Sequence, residues 1–506
     1  MDINEILDEN IKYFEELYED CGDIVKRKFP IGANKSLNAF IIYIDNMCDR
    51  TLIDKGIMES FMFRVRQVKP DTAEVINDLY GALKDGDVVI ADITEVETME
   101  ELNTAILSGD AALLIDKSKK ALIINSKGFD SRGVAEAATE VVVQGSKDSF
   151  SEVIRTNTCL IRRRIRDVNL KVKQIKAGRR TQTDIALMYI KDLVRPDVLN
   201  DALKRLNNID IDGILDIGYI EQLIEDNWMS PFPQCQITER PDKASAAILE
   251  GRIVIIADNS PFVLIIPATM NTFFQSAEDY YQRFGIMSFA RLIRYASGVI
   301  TVCLPAFYIA VASYHPSMLP MFLMLKMAGA RAGVPFPTVV EVLIMDLAFE
   351  LLREAGIRLP GPAGGTIGIV GGIIIGQAAV EAGLVSPIVV IIVALTGIAS
   401  FAIPHVSLVN GFRLIKYVLM IFSAIFGLFG FWIGLIFVLI HLTSLKSFGI
   451  PYLFPYVSGS VNQYSDIKDT FLRLPLFMMK KRPFFARPDN SVRINMPNVG
   501  NIHKKE

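Results

Sequence analysis

Apolar residues follow two rhythms along this chain, and the rhythm changes near residue 290. Ahead of that point, short apolar runs alternate with charged and turn-forming segments. Behind it, from Arg291 to Lys446, long apolar runs follow one another, broken by Gly, Pro and a few acids. The run from Ala363 to Ala382 contains no base and one acid, Glu381, near its end. Twenty residues of helix span about 30 Å, the hydrocarbon thickness of a bilayer, so this run predicts a crossing. Gly364, Gly368, Gly372 and Gly376 recur within it at every fourth residue. One helix face is therefore bare of side chains and open to close approach by another helix.

In the charge-rich half, residues 1 to about 30 predict a helix, with Ile3, Ile6, Leu7, Ile11, Phe14 and Leu17 at helical spacing. Ala39 to Ile44, Val88 to Ile93, Ala112 to Ile115 and Ala121 to Asn125 then read as strands, with helical patterns between them. The connector Glu152 to Asp167 carries Arg162, Arg163, Arg164 and Arg166. Without a Gly-rich loop or an interleaved aromatic, that cluster is expected in a solvated or interdomain role. A hairpin follows, Leu170 to Ile175 with Ile185 to Ile190, then helices around Val198 to Asn207, Tyr219 to Asp226 and Asp242 to Glu250. Arg252 to Ala257 and Phe262 to Ile266 predict a second hairpin. Asp210 and Asp212 find no third local ligand and no calcium-loop pattern, so strand-end and cap roles are expected.

Four of the five acids of the apolar half fall on one segment. Between Phe336 and Leu359, Asp346, Glu350, Arg353 and Glu354 share a sector about 100° wide, with Glu341 roughly opposite. Such a stripe lines water, packs against protein or lies at the bilayer surface. If it lines a pore, Asp346, Glu350, Glu354 and Glu341 are the candidate lining residues. Glu381, near Gln377, is expected at the headgroups, and His405, after Pro404, in a loop or cap rather than as a proton sensor. Arg291 and Arg294 mark the near end of a first crossing, Leu292 to Tyr314, in which Pro305 predicts a kink. The last apolar stretch, Phe412 to Leu445, has 34 residues, about 51 Å of helix. Basic residues flank both ends: Arg413 and Lys416 before, Lys480, Lys481, Arg482 and Arg487 after. Both can be cytoplasmic only if the stretch turns back inside the membrane.

The expected fold is an α/β N-terminal soluble domain of two subdomains with mixed sheets (1–150 and 151–270), followed by an amphipathic linker helix (271–290). An all-α polytopic membrane domain of four to six crossings (291–446) and a polar basic tail (447–506) complete it.

Composition narrows the function. Mean hydropathy is +0.33 although 22% of the residues are charged, which requires the segregation just described. A net charge of -3 gives no support to nucleic-acid binding. The five cysteines, Cys21, Cys48, Cys159, Cys235 and Cys303, show neither CxxC spacing nor clustered histidines, so no disulfide framework, metal or cofactor is expected. The acidic amino terminus is no signal peptide, which predicts a cytoplasmic start. With no GxxxxGK[ST], GxSxG or HExxH pattern and only four histidines, an enzyme is not expected.

Six long strings carry a resemblance: IRRRIRDVNLKVKQIKAGRRTQTDIALMYI, IDIDGILDIGYIEQLIEDN, TERPDKASAAILEGRIVIIADNSPFVLIIPAT, AGARAGVPFPTVVEVLIMDLAFELLREAGIRLP, GQAAVEAGLVSPIVVIIVALTGIASFAIP and SFGIPYLFP. They run in order from about 150 to 456 and resemble the A subunits of spore germinant receptors, the GerA family. The resemblance implies an integral protein of the inner spore membrane; the acidic amino terminus, Arg291 and Arg294 and the basic tail predict that both termini are cytoplasmic. Its partners would be a permease-like B subunit and a lipoprotein C subunit, and it would assemble into an oligomer, a pentamer by analogy, that conducts ions. A non-conducting scaffold and a secondary transporter are the alternatives.

Overall fold

A computed structural model describes residues 2–31, 37–53, 93–128, 137, 139–358, 363–457 and 468–495, with side-chain detail absent for a few residues inside the helices. The chain forms two compact units, one of residues 1–225, 235–267 and 480–496, the other of residues 226–234, 268–479 and 497–506.

The first unit is a structural duplication. Its first half runs α1 (Leu7–Leu17), β1 (Ile24–Ile31), β2 (Leu37–Ile44), β3 (Ile93–Val96), α2 (Met99–Ser108), β4 (Ala111–Ile115) and β5 (Ala121–Ile124). Its second half runs α3 (Ile154–Arg162), β6 (Leu170–Ala177), β7 (Thr183–Ile190), α4 (Pro196–Asn207), α5 (Ile217–Ile224), β8 (Gln236–Thr238), α6 (Pro241–Leu249), β9 (Ile253–Ala257) and β10 (Val263–Ile266). The sheet orders, β1-β2-β4-β5-β3 and β6-β7-β9-β10-β8, are the same path walked twice. Two turns repeat with it. Gly109 and Gly251 close the helices α2 and α6 at φ 97° and 86°, and Lys117 and Asn259 turn the following hairpins at φ 64° and 66°.

Two expectations change here. Residues 1 to 30 are a helix only as far as Leu17: the chain turns at Asp20 (φ 61°), and Ile24–Ile31 pairs residue by residue with Ile44–Leu37. Every pairing between these strands is antiparallel, so the sheets are not mixed. The residues Val88 to Asp92 of one expected strand lie outside the described residues, and β3 begins at Ile93.

Charge joins the two halves. Arg162 of the predicted arginine cluster donates two hydrogen bonds to Asp23, at 2.7 and 3.0 Å, with the side chains 1% and 6% exposed. Asp210 and Asp212 pair with Arg179, at 3.2 and 3.5 Å, on the surface of the β6–β7 turn. The tail returns to this unit. Ala486 bridges to Val194, Phe484 lies under the Arg195 guanidinium at 4.5 Å and Phe485 under that of Arg252 at 5.2 Å.

The second unit is helical: α7 (Phe284–Tyr314), α8 (Met321–Arg331), α9 (Thr338–Arg358), α10 (Ala363–Glu381), α11 (Pro387–Phe401) and α12 (Val406–Ser444). Among the described residues, α7 and α12 are long and apolar enough to cross a membrane, and α11 is a shorter apolar helix. In place of a linker helix over 271–290, two 3-10 turns, Met270–Phe273 and Ala277–Tyr280, lead into α7. Arg291 and Arg294, expected at the near end of a first crossing, are bound within the protein. Asp279, itself buried, accepts from Arg291 at 2.9 Å and from Arg294 at 2.7 Å, and Arg291 reaches Asp469 at 3.4 Å.

Helix α12 folds back on itself. Gly427 takes φ 61°, ψ -138°, a conformation open to glycine because it has no Cβ. Beyond it the chain reverses: Phe437 packs against Phe422 with ring centroids 6.3 Å apart. A side chain at Gly430 would collide with the Phe422 carbonyl, and a Cβ at Gly434 would lie 2.8 Å from Leu419. Phe232 meets both ends, edge-on to Phe412 at 6.2 Å and stacked on His441 at 5.9 Å. The 34-residue stretch is therefore two antiparallel arms with both ends together.

A buried charge cluster in the helical unit

Helix α9 supplies the acids. Spacings of four and three residues put Asp346, Glu350 and Arg353 on one face. That face meets Arg413 and Lys416, three residues apart on the first arm of α12. Lys416 lies 2.7 Å from Asp346 and 3.5 Å from Glu350, and the Lys416 and Asp346 side chains are each 4% exposed. Arg413 grips Glu350 through two nitrogens, with Nε to Oε1 at 3.0 Å, and also donates to Asn410 at 3.1 Å. Arg353 donates to the Ser400 hydroxyl and lies 4.7 Å from the centre of the Phe401 ring.

These groups line one side of a cavity of about 820 Å³, whose other walls include Phe349, Val390, Val393 and Ile398. Gln377 and Glu381, joined by a 3.1 Å hydrogen bond, also line it. Three carboxylates (Asp346, Glu350, Glu381) thus face the cavity together with three cations (Arg353, Arg413, Lys416). A charge taken out of water costs several kcal/mol unless it is paired and hydrogen-bonded, and the cations from α12 supply those partners. One oxygen of Asp346, Oδ2, accepts no hydrogen bond.

Of the other sequence candidates, Gly372 and Gly376 belong to the cavity lining, whereas Glu341, Glu354 and His405 lie apart from it. Glu341 is fully buried, 3.4 Å from Arg331, and accepts a 2.9 Å hydrogen bond from the Ser386 amide. It thereby caps α11, where the helix dipole favours negative charge. Glu354 is exposed on α9. On α10, a Cβ at Gly372 would lie 3.1 Å from the Phe349 ring and one at Gly376 would lie 2.9 Å from Val390, so both glycines face neighbouring helices of the same chain. The surroundings of Gly364 and Gly368 lie outside the described residues. His405 precedes α12 as its N-cap residue, buried edge-on against Phe273 at 5.5 Å. Among the described residues no group of three or more His, Cys, Asp and Glu could hold a metal.

Sequence reasoning took Arg413 and Lys416 as topology markers and missed them as counter-charges. Their spacing of three residues, which puts both on one face at the start of an apolar helix, was the available signal.

The chain thus combines a duplicated antiparallel α/β unit with a helical unit in which, among the described residues, α7 and α12 are long and apolar enough to cross a membrane. Residues 12–485 match the family described as Bacillus/Clostridium GerA spore germination protein, and the chain belongs to that family. It is 40% identical to spore germination protein GerLA of Bacillus cereus, over 95% of this chain and 96% of that one. Against the uncharacterized membrane protein YfkQ of Bacillus subtilis (strain 168) the identity is 41%, covering 94% and 90% of the two chains. A crystal structure of the N-terminal domain of the A subunit of the Bacillus megaterium spore germinant receptor GerK3 is 34% identical, with a TM-score of 0.42, covering 53% of this chain and 98% of that one.

Proposed function

We propose that this chain is the A subunit of a nutrient germinant receptor in the inner spore membrane. It oligomerises, as a pentamer, into a cation channel whose opening begins germination, alongside a permease-like B subunit and a lipoprotein C subunit. The observation that carries the reading is the Asp346–Lys416–Glu350–Arg413 cluster on the wall of a cavity inside an apolar bundle. Buried carboxylates are costly in such surroundings, and in symmetric copies each would repeat as a ring around a shared axis. With both acids paired the path is closed. Exchanging the α12 cations for water frees Asp346 and Glu350 to attract cations. Cytoplasmic placement of both termini draws support from residues 480–496, which fold into the same unit as residues 1–225.

One observation favours the scaffold reading: Asp346 and Glu350 already have cationic partners, as purely structural acids would. Reconstitution of the purified receptor in liposomes separates the readings. Ion current without substrate stoichiometry supports the channel, coupled uptake a transporter, and silence a scaffold.

A further inference from the structure

We propose that Trp228 and Met229 form a membrane-surface anchor, the tip of a loop that enters the lipid headgroup layer beside the ends of the α12 hairpin. The inference rests on the reading of the helical unit as membrane-embedded.

Residues 226–234 lie in sequence between α5 and β8 yet belong to the helical unit. The loop is pinned throughout. Asp226 accepts from the Phe448 amide at 2.6 Å, and the Ser447 hydroxyl donates to the Gln234 carbonyl at 2.7 Å. The fully buried Gln234 side chain accepts from Asn227 N at 2.9 Å and donates to Asn227 O at 2.7 Å. Asn227 Oδ1 accepts from Met229 N at 3.1 Å, which fixes the tip.

The loop has a buried side and an exposed one. On the buried side Phe232, 2% exposed, spans Phe412 and His441, Ser230 Oγ lies 2.9 Å from His441 Nε2, and the Pro231 carbonyl fits against Gly411 only because Gly411 has no side chain. Residues 230–232 therefore sit on both ends of the hairpin at once. On the exposed side Trp228 is 80% and Met229 75% accessible. Two residues of chain reach about 7 Å at most, so Trp228 is held that close to Ser230.

The chemistry of that level is amphipathic. Apolar arms end there among Asn410, His441, Ser444 and Lys446. Tryptophan, with a large apolar body and one N–H donor, favours the zone where hydrocarbon gives way to headgroups. A fixed loop that presents Trp and Met beside the ends of apolar arms matches a lipid surface.

The chain has two tryptophans, Trp228 and Trp432, so Trp432→Phe leaves Trp228 as the only one. The full-length variant is reconstituted in phosphatidylcholine vesicles brominated at shallow or deep acyl carbons, with iodide on both sides as the aqueous quencher. The expected result is stronger quenching by shallow than by deep bromines, and weak quenching by iodide. Iodide quenching without bromine quenching, deep quenching exceeding shallow, or no quenching by either, as when another protein covers the loop, each overturns the anchor. Flotation with the vesicles after an alkaline wash separates the two claims. A variant that floats without shallow quenching loses the anchor alone, and one that does not float loses the membrane reading and the anchor with it.

Discussion

Asp346 and Lys416, 70 residues apart in the chain, meet at 2.7 Å with both side chains 4% exposed. The pair ties α9 to the first arm of α12. Removing one partner leaves the other charge buried, so Lys416→Met is expected to destabilise the helical unit by about 3–5 kcal/mol. The double variant Asp346→Asn/Lys416→Met recovers much of that loss, since no lone charge stays behind. Thermal unfolding in detergent of the parent, the single and the double variant checks the order.

The hairpin of α12 depends on Gly427. A Cβ there faces both the forbidden backbone conformation and the Tyr314 ring at 2.9 Å. Gly427→Val is expected to lower the yield of monodisperse protein and the melting temperature. Gly285→Ala, at a site with nothing within 4 Å, should do neither. Equal behaviour of the two would argue against a sharp reversal at this residue.

In the α/β unit, burial first and then the charges of Glu225 and Asp216 push the Glu221 carboxyl up to about 7. Its unfolded value is about 4.3, so the folded state holds the proton more tightly. The contribution to stability is full below about pH 4 and is lost as pH rises through about 7, by at most about 4 kcal/mol. Amide exchange in α5 of the full-length protein should therefore quicken between pH 5 and pH 8 relative to Glu221→Gln at the same pH. A constant ratio between the two proteins would remove the effect.

Single cysteines at Glu5 and Lys481 report topology. Both positions are exposed and both lie in the α/β unit. Among the native thiols, burial pushes Cys48 up to about 12 and Cys159 to about 11, which slows their reaction. In a background lacking them, an impermeant thiol reagent is expected to label neither position from outside intact membranes and both after permeabilisation. Labelling of one alone would contradict a shared side.

How far the sequence could be read depended on how local each signal was. The hairpins β6–β7 and β9–β10 and the helices α4 to α6 were legible because period and turn residues sit within one window. The strand Ile24–Ile31 was not, because its KRK centre reads as a helix surface and only pairing with β2 makes it a strand. The duplication escaped because it shows in strand order and in paired turns such as Gly109 and Gly251 more than in residue identity. At the candidate site the face of α9 was legible from spacing alone. Its counter-charges were not, since Asp346 and Lys416 are joined by the folding of a bundle, and a cation near a helix end looks the same in sequence whether it meets headgroups or a carboxylate.

The most direct test of the channel reading measures the reversal potential under a salt gradient in liposomes holding the assembled receptor. Parent protein and Asp346→Asn are compared, each verified for oligomer size. The account predicts cation-selective current from the parent and a clear loss of cation flux or selectivity in Asp346→Asn. Parent-like conductance with unchanged selectivity would contradict it, and the α9 acids would then be structural.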